Sequence, residues 1–222
     1  MRKDIHYSSY LKLNQLLNLQ CTLSKPLAHD ELIFIIIHQI HELAFKLLLH
    51  EIKKIKNNFS DNQLHEASAT FKRCIMIINA LNTQLEVLET MKPTSFLQFR
   101  SHLGTSTGYQ SSQFHEINQL LLSLRDCFNI VLKFAAKKLH LQSTGTELII
   151  HLYKNHADFA NLFEMMIDFD LKMQTWRYSH IKLVERMIGS KTGTGGSNGL
   201  QYLLKSTHQK IFTPLWEVRN VL

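Results

Sequence analysis

Cysteine, proline and glycine are all scarce in this chain, numbering 3, 3 and 8 in 222 residues. Cys21, Cys74 and Cys127 are far apart, odd in number and form no CxxC pair, which excludes a disulfide framework and a cysteine zinc site and suits a reducing, cytoplasmic setting. The shortage of glycine and proline leaves little material for tight turns between strands, so long helices are favoured. No apolar run approaches the ~18 residues of a membrane span. The segment Met1–Gln15 holds basic residues with no apolar stretch behind them, so neither an export signal nor a membrane partner is expected. The charge is lopsided, with 25 Lys and Arg against 18 Asp and Glu, a net +7 and a pI near 9.3. Those basic residues are scattered, with runs no longer than the pairs Lys53-Lys54 and Lys137-Lys138. That pattern speaks for solubility and for an anionic ligand such as a carboxylate, and against nucleic acid.

An apolar content of 45% is enough for one sizeable core, so a single all-α domain is expected. Residues 1–28 form a polar N-terminal arm closed by Pro26. The domain proper, 29–222, opens with His29-Asp30-Glu31, acidic groups suited to a helix start, and this helix should reach about residue 58. Its stretch Leu32–Ile37 is apolar all round, which predicts deep burial. A second helix over 61–91 carries Phe71, Ile75, Ile78, Leu81, Leu85 and Leu88 at helical spacing and stops at Lys92-Pro93, making an antiparallel pair with the first. The segment 94–115 reads as a short helix, a loop and the start of a third long helix ending near Leu141. Further helices are expected over 146–169, 171–189 and 198–222, the last interrupted at Pro214. Five of the eight glycines fall in the run GSKTGTGGSNG from Gly189 to Gly199, the mark of a segment that moves or lies close to a ligand.

The histidines invite metal readings, and most fail on spacing. His41-Glu42, His50-Glu51, His65-Glu66 and His115-Glu116 each lack the second histidine of a zinc protease motif. No Glu-x-x-His occurs, which removes the di-iron bundle pattern. His38 and Glu42 share a helix face, a spacing that also serves an ordinary intrahelical hydrogen bond. The glycine-rich run lacks the GK[ST] ending of a phosphate loop. What remains is a conjunction: Phe34 and His38 on one apolar helix, Phe96 and Arg100 at i, i+4 on a short one, His180 in WRYSH, and Thr194 in the glycine-rich loop. Aromatic walls with one guanidinium suit an aromatic amino acid, because the fork binds a carboxylate bidentately while the ring is buried. On composition alone, core aromatics with a surface Arg are the more ordinary reading.

The segments YSSYLKLNQLL, HDELIFIIIHQIHELAFKLLLHEI, FLQFRSHLGTSTGYQSSQF, WRYSHIKLVERMIGSKTGTGGSNGLQYL and FTPLWEVR occur in this order over nearly the whole chain. In sequence and order they resemble the tryptophan 2,3-dioxygenase family. The resemblance implies a helical bundle enclosing haem b and a reaction in which O2 cleaves the indole C2–C3 bond of L-tryptophan to N-formylkynurenine, the first step of the kynurenine pathway. It implies that His180 is the axial ligand of the haem iron and that His38 faces the indole nitrogen. Phe34 and Phe96 then form the indole pocket, Arg100 binds the substrate carboxylate, and Thr194 contacts its ammonium and carboxylate. Thr107 and Trp176 match positions near the haem and its propionates. Tyr7 and Tyr10 match tyrosines that reach into a neighbouring subunit, which implies a homotetramer. The chain is shorter than most of the family, chiefly ahead of WRYSH. It departs from the pattern at Ala44 for a usual Trp, Thr107 for Ser, Tyr109 for Phe and His115 for Arg, which bears on the substrate and on the basic contacts near the haem. A relative acting on a modified tryptophan or another aromatic amino acid, and a haem protein without turnover, are the competing readings.

Overall fold

Helix α3 (His29–Ser60) is the element around which the others are arranged. In this computed structural model, which describes residues 5–189, 191, 193–194, 204, 207 and 209–222, it follows two single-turn helices of the arm, α1 (Tyr7–Tyr10) and α2 (Leu13–Leu16). Along α3, Ile37, His41, Phe45, Leu48, Ile52, Ile55 and Phe59 recur every three or four residues and are buried, so one stripe faces the core. The turn at Asp61–Gln63 reverses the chain, with Asn62 at a positive φ of 55°, and α4 (Leu64–Glu89) returns along α3. The expected antiparallel pair is therefore present, tied by a bidentate ion pair from Arg73 of α4 to the buried Glu51 of α3 at 2.9 and 3.0 Å.

Lys92-Pro93 ends that pair and opens α5 (Pro93–Arg100), followed by short 3-10 turns at Ser101–Leu103 and Gly108–Gln110. α6 (Ser112–Lys138) packs along the other side of α3, and α7 (Gly145–Asn155) and α8 (Ala157–Ile188) complete the bundle. α4 lies between α3 and α8, while α5 bridges the same two helices. Among the described residues there is no strand, so the all-α expectation holds. By length and composition α3 is apolar enough to cross a membrane, but here its buried stripe packs on α4 and α6.

Three expectations are corrected. The helices expected over 146–169 and 171–189 break elsewhere, at the extended His156, and α8 runs unbroken through 170. Nothing between 157 and 188 is Gly or Pro, and the buried stripe Phe163, Met166, Asp170, Met173, Arg177 keeps its helical spacing across the expected gap. Pro214 does not interrupt a helix but lies in the first turn of α9 (Thr213–Val218), where its missing N–H is not needed. Most of the helix expected upstream of it, and most of the glycine-rich run, lie outside the described residues. Leu32 and Ile36 are exposed rather than deeply buried, because no element among the described residues covers that face of α3.

Several fastenings hold the periphery. Buried Glu31 accepts from the backbone N–H of Leu23 at 2.7 Å and of Ser24 at 3.0 Å and from the Ser24 hydroxyl, clamping the arm to the start of α3. Burial pushes the Glu31 carboxyl upward, but these donors outweigh it and the net shift is down. Gln20 donates to Gln39 at 2.6 Å and continues the clamp. At the far end, fully buried Asp170 accepts from the backbone N–H of Ile211 at 2.9 Å and Phe212 at 3.2 Å and from the indole N–H of Trp216 at 2.9 Å. Burial raises its pKa, and those donors oppose it. On α4, burial pushes the Cys74 thiol up to about 12. Asp170→Ala leaves three donors without an acceptor and should cost on the order of 3 kcal/mol of stability, read as a lower urea midpoint, with a matching loss in far-UV signal from unfastening α9.

Candidate functional site

The wall formed by α3 and α5 is aromatic. Phe34 touches His38 with ring centroids 4.1 Å apart, Phe96 at 5.8 Å and Phe99 at 5.5 Å, and Phe96 meets Phe99 edge-on at 5.3 Å. Phe96 and Phe99 are buried, and Arg100 follows one turn after Phe96, half-buried at the end of α5. Phe34, His38 and Phe96 are thus brought together in one wall. Phe99 was not singled out in the sequence, where FLQF shows two Phe but not which one backs the wall.

The His38 ring settles its own tautomer. Its Nδ1 lies 2.7 Å from the Phe34 carbonyl, one turn back, and a carbonyl can only accept, so Nδ1 carries the hydrogen and Nε2 keeps a lone pair. This contact, rather than one to Glu42, is its intrahelical hydrogen bond; Glu42 instead accepts from Gln113 of α6 at 2.8 Å. One edge of the ring is open to solvent and the other is packed on Phe34. That desolvation lowers its pKa against the opposing pulls of the Phe34 carbonyl and Glu42. The open edge lies in a cleft of about 290 Å³ lined by Leu16, Leu19, His38, Gln39, Glu42 and Leu43, between α2 and α3; Ala44 is not among these lining residues.

α8 contributes the other side. Trp176, 7% exposed, stacks on His180 with centroids 5.7 Å apart and planes 13° apart, and it is surrounded by His41 at 6.1 Å, Phe45 at 5.6 Å and Phe114 at 5.4 Å. His180 has no hydrogen-bond partner among the described residues, and burial, reinforced by His38 and His41, lowers its pKa to about 4. At neutral pH it is an unprotonated imidazole with a free lone pair. His38, His41 and His180 thus feel one another across the space between α3 and α8.

A model of the tryptophan 2,3-dioxygenase family matches residues 1–128 and 121–222. Tryptophan 2,3-dioxygenase of Herpetosiphon aurantiacus is 35% identical over 99% of this chain and 99% of its own length, and that of Nocardioides sp. is 36% identical over 99% and 95%. That of Anaeromyxobacter sp. strain K is 32% identical over 97% of this chain and 96% of its own length. The chain belongs to the tryptophan 2,3-dioxygenase family. The first of these alignments spans 258 positions against the 222 residues here, so this family member is indeed the shorter.

The residues of this tryptophan 2,3-dioxygenase homologue fit a haem. A haem needs one neutral nitrogen for its iron and a planar apolar surrounding. His180 is neutral and unpartnered, Trp176, Phe45, Phe114 and His41 supply the ring faces, and the buried Trp176 Nε1 and His41 Nε2 have no hydrogen-bond partner.

Other expected site residues stand apart from this cluster. The Thr107 hydroxyl accepts from the Tyr109 N–H at 3.4 Å and caps the second 3-10 turn, and none of its hydrogen bonds reaches His180 or Trp176. Thr194 donates to the Ser106 carbonyl, which brings the loop beyond α8 to the segment after Arg100. Tyr7 and Tyr10 are 76% and 74% exposed and do not join the aromatic wall of their own chain. The departures at 109 and 115 are partners: His115 Nε2 donates to the Tyr109 carbonyl at 2.7 Å and the rings meet edge-on at 4.9 Å.

His38, His41 and His180 all stay neutral below the ~6.5 at which a free histidine protonates. The unfolded chain therefore binds more protons as pH falls from about 6.5, and stability is lost across the window down to about 4, the value for His180. Urea unfolding of the haem-free protein should show a lower midpoint at pH 5 than at pH 7; equal midpoints would remove the case for neutral rings.

Proposed function

We propose that this chain is a haem-dependent dioxygenase that opens the indole ring of L-tryptophan with O2 to give N-formylkynurenine, the first step of the kynurenine pathway. The observation that carries the reading is the pairing of a neutral, unpartnered His180 on α8 with a tautomer-locked His38 on the aromatic wall of α3. In this reading His180 holds the iron of haem b. Bound haem supplies the activation of O2 for insertion across the indole C2–C3 bond.

The chain's own residues bind and orient. His38 presents an acceptor at Nε2, so an indole N–H can be held there without a proton moving first. Phe34 and Phe96 touch, tilted by 39° to each other, and together would offer one aromatic wall to a flat ring. Arg100 offers its guanidinium to the amino-acid carboxylate, and Thr194, tied to Ser106, brings a hydroxyl to the same end. These contacts turn the encounter of indole and oxidant into a positioned one, which is where a binding pocket lowers a barrier. Thr107 and Trp176 would border the haem.

The open face of α3 supports assembly. Leu32, Ile36, Leu43 and Leu47 are exposed along it, with Leu16, Leu17 and Leu19 exposed on the arm, and an apolar row on one helix face is the kind of surface that assembly covers. A homotetramer in which Tyr7 and Tyr10 of one arm close the cleft beside His38 of a neighbour would cover it, with the enzyme working in the cytoplasm.

His180→Ala should abolish stoichiometric haem binding, seen as loss of the Soret band from protein loaded in parallel with wild type; a normal spectrum would overturn the ligand assignment. Arg100→Ala should weaken tryptophan binding by ~2 to 5 kcal/mol, measured by spectral titration of the loaded protein, since the carboxylate loses its charged partner. His38→Ala should slow N-formylkynurenine formation without stopping it, and wild-type turnover would argue against the indole contact. Loaded, reduced protein that makes no N-formylkynurenine from L-tryptophan would favour a modified indole as substrate.

A further inference from the structure

His41 has no role of its own in the proposed reaction, yet it is buried and its ring packs 6.1 Å from that of Trp176. Its Nδ1 lies 2.9 Å from the Ile37 carbonyl, so the hydrogen is on Nδ1 and Nε2 is an acceptor. That Nε2 is buried and has no hydrogen-bond partner, and the Trp176 Nε1–H is likewise buried and unpartnered. An orphaned buried polar atom costs about 1 to 3 kcal/mol. Here the two orphans are chemically complementary, an acceptor and a donor on neighbouring rings 6.1 Å apart.

Trp176 is in turn the residue on which His180 lies. The two rings are parallel within 13°, whereas Phe45 meets the indole edge-on at 88° and Phe114 at 51°. The imidazole thus lies along the indole plane, and no hydrogen bond among the described residues holds the His180 ring. His41, on α3, packs against the indole, and its ring is held by its bond to the Ile37 carbonyl.

We infer that His41 is a positioning residue: paired with Trp176, it fixes the indole plane and through it the orientation of the His180 imidazole toward iron. The inference rests on the haem reading. An axial imidazole is normally oriented by a hydrogen bond from its second nitrogen, and losing such outer contacts typically costs 10- to 100-fold in metal affinity or activity. In this chain a stacked indole, steadied from α3, takes that place.

The test uses full-length haem-loaded protein with three variants, His41→Leu, His41→Gln and Trp176→Phe, and the double variant H41L/W176F. Two quantities are read: haem affinity by Soret titration, and the iron–histidine stretching frequency of the ferrous protein by resonance Raman. H41L should lose haem affinity by roughly 10- to 100-fold and shift the stretch, H41Q, which keeps an acceptor, should stay near wild type, and H41L/W176F should be no worse than W176F alone. Wild-type affinity and stretch in folded H41L, or effects that simply add in the double variant, would overturn the inference. Should H41L fail to fold, a stretch in H41Q shifted as far as in W176F overturns it equally, while an unshifted one supports it. Wild-type protein that takes up no haem would instead sink the function reading itself, a result distinct from normal haem binding with an unmoved stretch.

Discussion

The rest of the structure depends on the continuous apolar stripe that runs the length of one helix. α3 buries Ile37, Phe45, Leu48, Ile52, Ile55 and Phe59 against α4 and α6, which fixes its rotation about its own axis. That rotation in turn decides where Phe34, His38 and His41 point. The burial of these side chains at ~1.5 to 3 kcal/mol each outweighs any single polar contact in the region, so the site geometry follows from the core rather than from the site residues themselves. The polar groups that do enter the stripe, Glu51 and His41 among them, are placed by it.

Electrostatics follows from the same packing. Three imidazoles facing one space would repel if charged, and desolvation keeps them neutral instead. The outcome is a region of lone pairs and ring faces rather than of cations, although the chain as a whole carries +7. The scattered lysines contribute to the field at the surface, while Glu42, on the same helix as His38, is engaged by Gln113.

What was legible in the sequence was local or periodic. The i, i+4 pairs Phe34/His38 and Phe96/Arg100 could be read from spacing, and the structure brings Phe34, His38 and Phe96 into one wall. The break at His156 was not legible, since Asn155 closes α7 by donating to the His151 carbonyl at 2.9 Å, a contact no breaker residue announces. His41 was hidden for another reason: in HQIHELAF it is one of two histidines three residues apart, and only the position of Trp176, 135 residues onward, separates a core filler from a member of the cluster. The exposure of Leu32 and Ile36 was misread because an apolar run cannot say which neighbour covers it.

Cys74 illustrates what this packing does for a protein proposed to handle dioxygen. Thiols are oxidised through their thiolate, and a thiol held up to about 12 inside the bundle has essentially none at physiological pH. The sulfur on α4 is fully buried in the core and is consequently a durable apolar filler, closed to sulfenic acid formation for as long as the fold stays intact. Exposed Cys21, on the arm, has no such shelter, so oxidative ageing of the molecule should begin at its N-terminal clasp and leave its interior untouched.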